Sequence, residues 1–285
     1  MSDAPYVICD VFTDRPFTGN QLAVFRDSAA LRESLLQAMA REINFSETVF
    51  VYPPADGGSA RIRIFTPSSE IPFAGHPVLG TAIVLGAARR ISEVILETGA
   101  GHVPVGLEQV NARGGFGRMQ QPVPTVAPFP LATQLLAALG GLRSRLPVEV
   151  YDNGLPHVYV ALQSEDEVAR ARPDLTALAQ LGKMTTNCFA GSGRRWKTRM
   201  FAPSLGVPED PATGSAAGPL ACPLARHGLI PFGEEIQISQ GNEIGRPSVL
   251  FARARGSQGR IQAVEVAGAA VVVGRGGFHL AALPS

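Results

Sequence analysis

Lysine is almost missing from this chain. All but Lys183 and Lys197 of its 25 basic side chains are arginine, which confines Schiff-base and lysine-nucleophile chemistry to two positions. Cysteine is scarce as well. Cys9, Cys188 and Cys222 are odd in number, far apart and without CxxC or Cys/His spacing, so neither a disulfide frame nor a zinc site is expected, and a reducing cytoplasm fits. No excess of charge of either sign exists: 24 acidic against 25 basic residues leave +1, which disfavours nucleic acid or an anionic membrane as partner. No stretch reaches the ~18 apolar residues of a membrane span. The first twenty residues carry Asp3, Asp10 and Asp14 and lack an uninterrupted apolar core, so a soluble, unexported protein is expected.

What is present is a large stock of core-forming residues: 45% hydrophobic and 17% charged over 285 residues. That is more than one core of ~100–200 residues usually holds, so two domains or two halves are expected. The start reads as a strand, Tyr6 to Phe12, a polar turn through Pro16, Gly19 and Asn20, and a second strand, Leu22 to Phe25. Asp27-Ser28 offers a helix N-cap, and Leu31, Leu35, Met39 and Ile43 recur at helical spacing up to Asn44. Thr48–Tyr52 and Arg61–Phe65 read as strands. From Val78 to Ala88 no residue is charged; with Pro77 in the first turn, this predicts a helix enclosed by protein on all sides. A second enclosed helix is predicted from Thr213-Gly214-Ser215 to a Gly228 stop, kinked by Pro219 and Pro223.

An internal repeat ties these helices together. Residues 63–72, RIFTPSSEIP, align without gaps to residues 199–208, RMFAPSLGVP, and each copy precedes one enclosed helix. Duplication predicts an α+β fold of two pseudo-twofold-related halves, each a curled sheet or barrel around a central buried helix. The boundary is expected near the proline-rich stretch Met119–Pro130, giving halves of 1–123 and 124–285, with the last strand able to return to the first half.

Helices opening at Gly75-His76-Pro77 and Thr213-Gly214-Ser215 present unpaired N–H groups and positive dipole ends, which suit a carboxylate. If the halves face each other, both starts point at one cleft; the plainer alternative is two ordinary capped helices. His76, Asp210 and Ser215 cluster at these starts. Glu47 lies on a separate segment and is the only charge between Glu42 and Asp56. Partial burial there would raise its carboxyl from ~4.3 toward the ~6–7 useful to a general acid and base, whereas a solvated surface glutamate is the alternative. For His76 the alternative is a capping imidazole, and for Asp210 an N-cap or Asx turn. His157 could line the cleft, although a satisfied core histidine is the simpler reading. No metal-ligand spacing, GxGxxG or P-loop is present, so neither metal nor cofactor is implied. Ser215 lacks the GxSxG context of a hydrolase.

At Glu47, Gly75-His76-Pro77 and residues 209–216, EDPATGSA, the chain resembles the phenazine-biosynthesis PhzF family, a branch with the diaminopimelate epimerase fold. The likeness extends over essentially the whole chain, including residues 187–196, Ser215–Leu220 and Gly245–Ser248. It implies two similar halves, an active site between them and a homodimer. The implied reaction is a cofactor-free isomerisation of trans-2,3-dihydro-3-hydroxyanthranilate, a small cyclic carboxylate, to an aminoketone. By the same resemblance Glu47, His76 and Asp210 are catalytic, and Asn20, Gly75, Gly214 and Ser215 bind substrate. Epimerases of the wider fold use a cysteine pair at the helix starts; here no cysteine lies in either motif. Gln21, where the family often has proline, Phe45, where it usually has leucine, and Cys222-Pro223, expected to interrupt the second helix, are departures. An isomerase of another small amino or hydroxy acid, or a non-catalytic binding protein with Glu47 exposed and distant from His76 and Asp210, remain open at this stage.

Overall fold

The computed structural model describes residues 3–280. Two compact units are present: one combines the chain up to Met119 with the chain from Ala267 on, the other is Gln120–Val266.

The first unit contains, in order, β1 (Ala4–Val11), β2 (Asn20–Phe25), α1 (Glu33–Ile43), β3 (Glu47–Tyr52), β4 (Ala60–Phe65), the short β5 (Glu70–Ile71), α2 (Gly75–Arg89), β6 (Glu93–Thr98), β7 (Gly101–Asn111) and β8 (Gly114–Gln121). Pairing runs β1–β2–β3–β4–β6–β7–β8, and the strand Arg260–Phe278 joins β8 back to β1. The sheet is therefore a closed eight-strand barrel, which leaves no exposed edge. The uncharged helix predicted from Val78 fills it: Gly75 through Gly86 of α2 are all buried. Fully burying a side chain such as Leu79 or Ile83 stabilises by about 1.5–3 kcal/mol. The fit is close enough to need glycine, since a Cβ on Gly80 would stand 2.7 Å from both the Leu22 and Val11 side chains. The amphipathic α1 lies outside, packing Leu36, Met39 and Ala40 on Phe25, Phe50 and Phe65. Its N-cap is Arg32, not Asp27-Ser28. Ser28 is buried and donates its hydroxyl to the Phe25 carbonyl, so a turn used the side chain that spacing had assigned to a cap.

The second unit holds β9 (Thr125–Pro128), α3 (Ala132–Ala138), β10 (Glu149–Asp152), β11 (Pro156–Ala161), α4 (Glu165–Arg170), α5 (Leu175–Ala179), β12 (Thr185–Ser192), β13 (Arg195–Ala202), β14 (Val207–Asp210), α6 (Gly214–Arg226), β15 (Glu235–Gln240), β16 (Ser248–Ser257) and the start of β17 (Arg260–Phe278). Its strands pair β9–β10–β11–β12–β13–β15–β16. Alternation sends Val158 and Val160 of β11 toward α3, α4 and α5, while Tyr159 reaches the Ala216 carbonyl of α6 from the opposite face.

Element by element the units repeat. β1–β2 and β10–β11 are antiparallel, β2–β3 and β11–β12 parallel, β3–β4 and β12–β13 antiparallel, and β4–β6 and β13–β15 parallel. The repeated decapeptides fall on matching strand ends. Arg63 makes a bidentate pair with Glu70 at 2.7 and 2.6 Å and stacks over Phe65, and Arg199 pairs with Glu209 at 2.9 and 2.8 Å and stacks over Phe201.

The second enclosed helix is not interrupted at Cys222-Pro223; it continues to Arg226. Pro219 has no N–H for the Ser215 carbonyl one turn earlier, and the Asn153 side-chain amide donates to that oxygen instead, at 3.0 Å. Gln121 and Tyr159 donate to the neighbouring carbonyls of Gly214 and Ala216 at 2.8 and 2.6 Å. A frame of side-chain donors thus carries the proline-containing helix.

Candidate active site

In the first unit the parallel pairing of β2 and β3, with Leu22 opposite Glu47, sets both strand starts at one end of the barrel. Helix α2 begins there too. Three separate segments consequently bring Asn20, Glu47 and His76 together. The His76 ring is buried, its Nδ1 3.3 Å from the Asn20 side-chain amide and its Nε2 3.4 Å from Glu47 Oε2. Burial drives the imidazole down to about 3, against a smaller opposing effect of a backbone hydrogen bond with Gln21, so the ring is neutral at pH 7. The Glu47 side chain is only 18% exposed, unlike the surface Glu42. A part-buried carboxyl group beside a neutral imidazole can take up and return a proton without an ammonium or metal next to it.

His76 is therefore not a capping imidazole. The N-cap of α2 is Ala74, which has no side chain to cap with, so the first N–H groups of the helix are left for another acceptor. Asn20 is 1% exposed, with its side-chain amide against the His76 ring.

In the second unit, Asp210 ends β14 and is 6% exposed. It is not the N-cap of α6, which is Thr213; its Oδ2 accepts the Thr213 hydroxyl at 2.6 Å. Thr213 holds the N-cap position of α6 but makes no side-chain cap to the helix, because its hydroxyl is spent on Asp210. Gly214 and Ser215 open α6, and Gln240, buried behind the loop, bonds to both Asp210 and Thr213. The sequence gives no signal for Gln240; only the β15 path brings it to residues thirty positions earlier. His157 is a core residue on Thr185, with Nδ1 2.7 Å from the hydroxyl. It is only half satisfied, since Nε2 has no hydrogen-bond partner among the described residues. Burial pushes this imidazole also down to about 3.

The three cysteines are free and buried, with burial pushing the Cys188 and Cys222 thiols up to about 12; such thiols stay protonated and inert at neutral pH. Lys197 is held at 2.7 Å by Glu243. A surface cavity of about 550 Å³ lined by Arg61, Arg63, Glu70 and Glu97 contains none of these candidate residues.

The first unit thus presents a curled sheet around a buried helix, with a part-buried carboxyl and a neutral imidazole at the helix start. The family model described as phenazine biosynthesis-like protein, PhzC-PhzF, matches residues 9–276, and the chain belongs to that family. It is 50% identical over 275 residues to a trans-2,3-dihydro-3-hydroxyanthranilate isomerase of Pseudomonas aeruginosa, covering 96% of this chain and 99% of the relative. With the protein of that name from Pseudomonas fluorescens it shares 51% identity over 271 residues, 95% and 98% of the two chains. In fold it is similar to the crystal structure of a Bacillus anthracis phenazine biosynthesis protein of the PhzF family, with a TM-score of 0.85 at 24% identity, covering 98% of this chain and 100% of that one.

Proposed function

We propose that the protein isomerises trans-2,3-dihydro-3-hydroxyanthranilate by proton transfer through Glu47. The observation that carries this reading is the Glu47 carboxyl set 3.4 Å from the buried, neutral His76 ring, in a chain half identical to isomerases of that name. Glu47 removes the proton from C3, the ring carbon that bears the hydroxyl. The electron pair shifts through the conjugated ring, and the same carboxyl returns the proton at C1. The resulting enol settles as the ketone. No atom is gained or lost, and one acid and base suffices.

His76 and Asp210 hold the amino and hydroxyl groups and stabilise charge as it moves. His76, neutral, does so as a hydrogen-bonding partner rather than as a cation. Gly75, Gly214 and Ser215 bind the carboxylate; the uncapped starts of α2 and α6 support this assignment. Asn20 binds substrate beside the His76 ring that its amide contacts. We assign the protein to the cytoplasm as a homodimer, which light scattering after gel filtration checks. Among the described residues no helix is long and apolar enough to cross a membrane.

The test is turnover of the substrate in deuterated water followed by NMR. With the native enzyme the C3 hydrogen is expected at C1 of the product, with deuterium entering C1 only to the extent that the Glu47 carboxyl exchanges with solvent before returning it. In Glu47→Gln, kcat should fall by ~10²–10⁴, the usual contribution of one general acid–base group, with an unchanged melting temperature. Absence of turnover, or full activity in Glu47→Gln, counts against the proposal.

A further inference from the structure

We propose that Gln240 is a positioning residue for Asp210, acting through the Thr213 hydroxyl. The inference rests on the reading of Asp210 as a substrate-holding carboxylate and deepens it. Gln240 is the last residue of β15 and 2% exposed. Its Oε1 accepts the Thr213 backbone N–H at 3.3 Å, and its Nε2 donates to the Asp210 carbonyl at 2.8 Å and to Thr213 Oγ1 at 3.0 Å. The amide can adopt only this orientation. Reversed, it would set oxygen against the Asp210 carbonyl and NH₂ against an N–H.

That asymmetry decides what the Thr213 hydroxyl does. A hydroxyl has one hydrogen to give. Because Oγ1 accepts from Gln240, its hydrogen is left for Asp210 Oδ2, 2.6 Å away, a short charge-assisted bond that fixes the carboxylate in one rotamer. Gln240 is itself held from behind. Gly241 lies so close to Pro211 that a Cβ there would be 2.6 Å from the Pro211 carbonyl oxygen, and Lys197 Nζ grips Glu243 Oε1 in the next turn at 2.7 Å. The chain of command runs from a buried sheet residue, through a hydroxyl, to a carboxylate that a substrate would meet.

The experiment compares Gln240→Glu, Thr213→Val and Thr213→Ser, alone and in an Asp210→Asn background. Rate, KM and the pH profile of kcat/KM are measured on full-length enzyme, and folding is checked by thermal melting. Gln240→Glu keeps the shape but loses both donors, and its carboxylate competes for the Thr213 hydrogen. We expect kcat to fall ~10–100-fold, as for a substrate-positioning group displaced by about an ångström, and the acid limb of the profile to move to higher pH as Asp210 loses the Thr213 hydroxyl and gains a negative neighbour. Thr213→Val should match it, and Thr213→Ser, which restores the hydroxyl, should recover most of that loss. In the Asp210→Asn background, Gln240→Glu should cost nothing further. A folded Gln240→Glu with a native profile, or losses that multiply with that of Asp210→Asn, overturns the proposal. Should Gln240→Glu fail to fold, the contrast between Thr213→Val and Thr213→Ser carries the test, and equal rates in those two overturn it. Full activity in Asp210→Asn alone refutes instead the underlying reading of Asp210.

Discussion

Acid should unfold the second unit through one buried imidazole. His157 is 0% exposed, with its ring held down to about 3, against ~6.5 in an unfolded chain. The folded state keeps the ring neutral while the unfolded state takes up a proton as the pH falls below 6.5, so stability is present above that value and lost below it. One proton taken up only on unfolding gives a slope approaching ~1.4 kcal/mol per pH unit. Between pH 7.5 and 4.5 the loss should reach roughly 2–3 kcal/mol, a large share of the ~5–15 kcal/mol that holds a domain together. The single tryptophan, Trp196, lies in the same unit and is 5% exposed, so its fluorescence reports on the relevant unfolding. In urea, with an m of ~1–3 kcal/mol/M, the midpoint should fall by roughly 1 M or more across that range. His157→Gln removes the titrating ring and keeps a hydrogen-bonding group for Thr185. Its midpoint should vary less with pH by the amount of one proton. An equal pH dependence in native protein and His157→Gln refutes the argument, because some other group would then be responsible.

Two further predictions concern the helices. Asn153→Ala deprives the Ser215 carbonyl of its donor and should cost about 1–3 kcal/mol of unit stability; in Pro219→Ala, where a backbone N–H is restored to that carbonyl, the same change should cost clearly less. A double-mutant cycle by urea denaturation checks this, and equal costs in the two backgrounds would remove the account of how α6 tolerates its proline. Gly80→Ala inserts a methyl against Leu22 and Val11 in the barrel wall and should destabilise by about 1–3 kcal/mol, read as faster amide exchange in α2; unchanged exchange would mean the wall yields without strain.

The two enclosed helices were the most legible part of the fold because their signal is local. An unbroken apolar run such as residues 78–85 has no amphipathic face, and only enclosure on all sides satisfies it. The decapeptide repeat was legible for a similar reason: Arg63 and Arg199 sit beside aromatic partners two residues on, so the stacked pair is written within three positions. Their carboxylate partners were not. The gapless alignment sets Glu70 against Gly206, whereas Arg199 pairs with Glu209, since a short 3-10 turn at Pro203–Leu205 displaces the acceptor along the chain. The cap expected at Asp27-Ser28 misled because the serine had a competing partner. Ser28 and Thr213 are good capping residues by type, but one serves a turn and the other a carboxylate.

The site residues divide along the same line, and the division explains what duplication left behind. Strand starts are equivalent in the two units: Glu47 opens β3 and Thr185 opens β12, each on a strand parallel to its predecessor. In the first unit that position carries a carboxyl facing His76; in the second it carries a hydroxyl facing His157. One unit thus carries an acid–base group at this position, and the other a hydroxyl. The second unit places its carboxylate instead at Asp210, the last residue of β14, where the Thr213 hydroxyl holds the carboxylate and the Gln240 amide the backbone carbonyl. A reaction that moves one proton between two carbons needs a single acid and base. In the one-base reaction proposed above, a second titrating group at the equivalent position has no step to serve, and Thr185→Glu should add no isomerase activity while burying a second carboxyl beside His157.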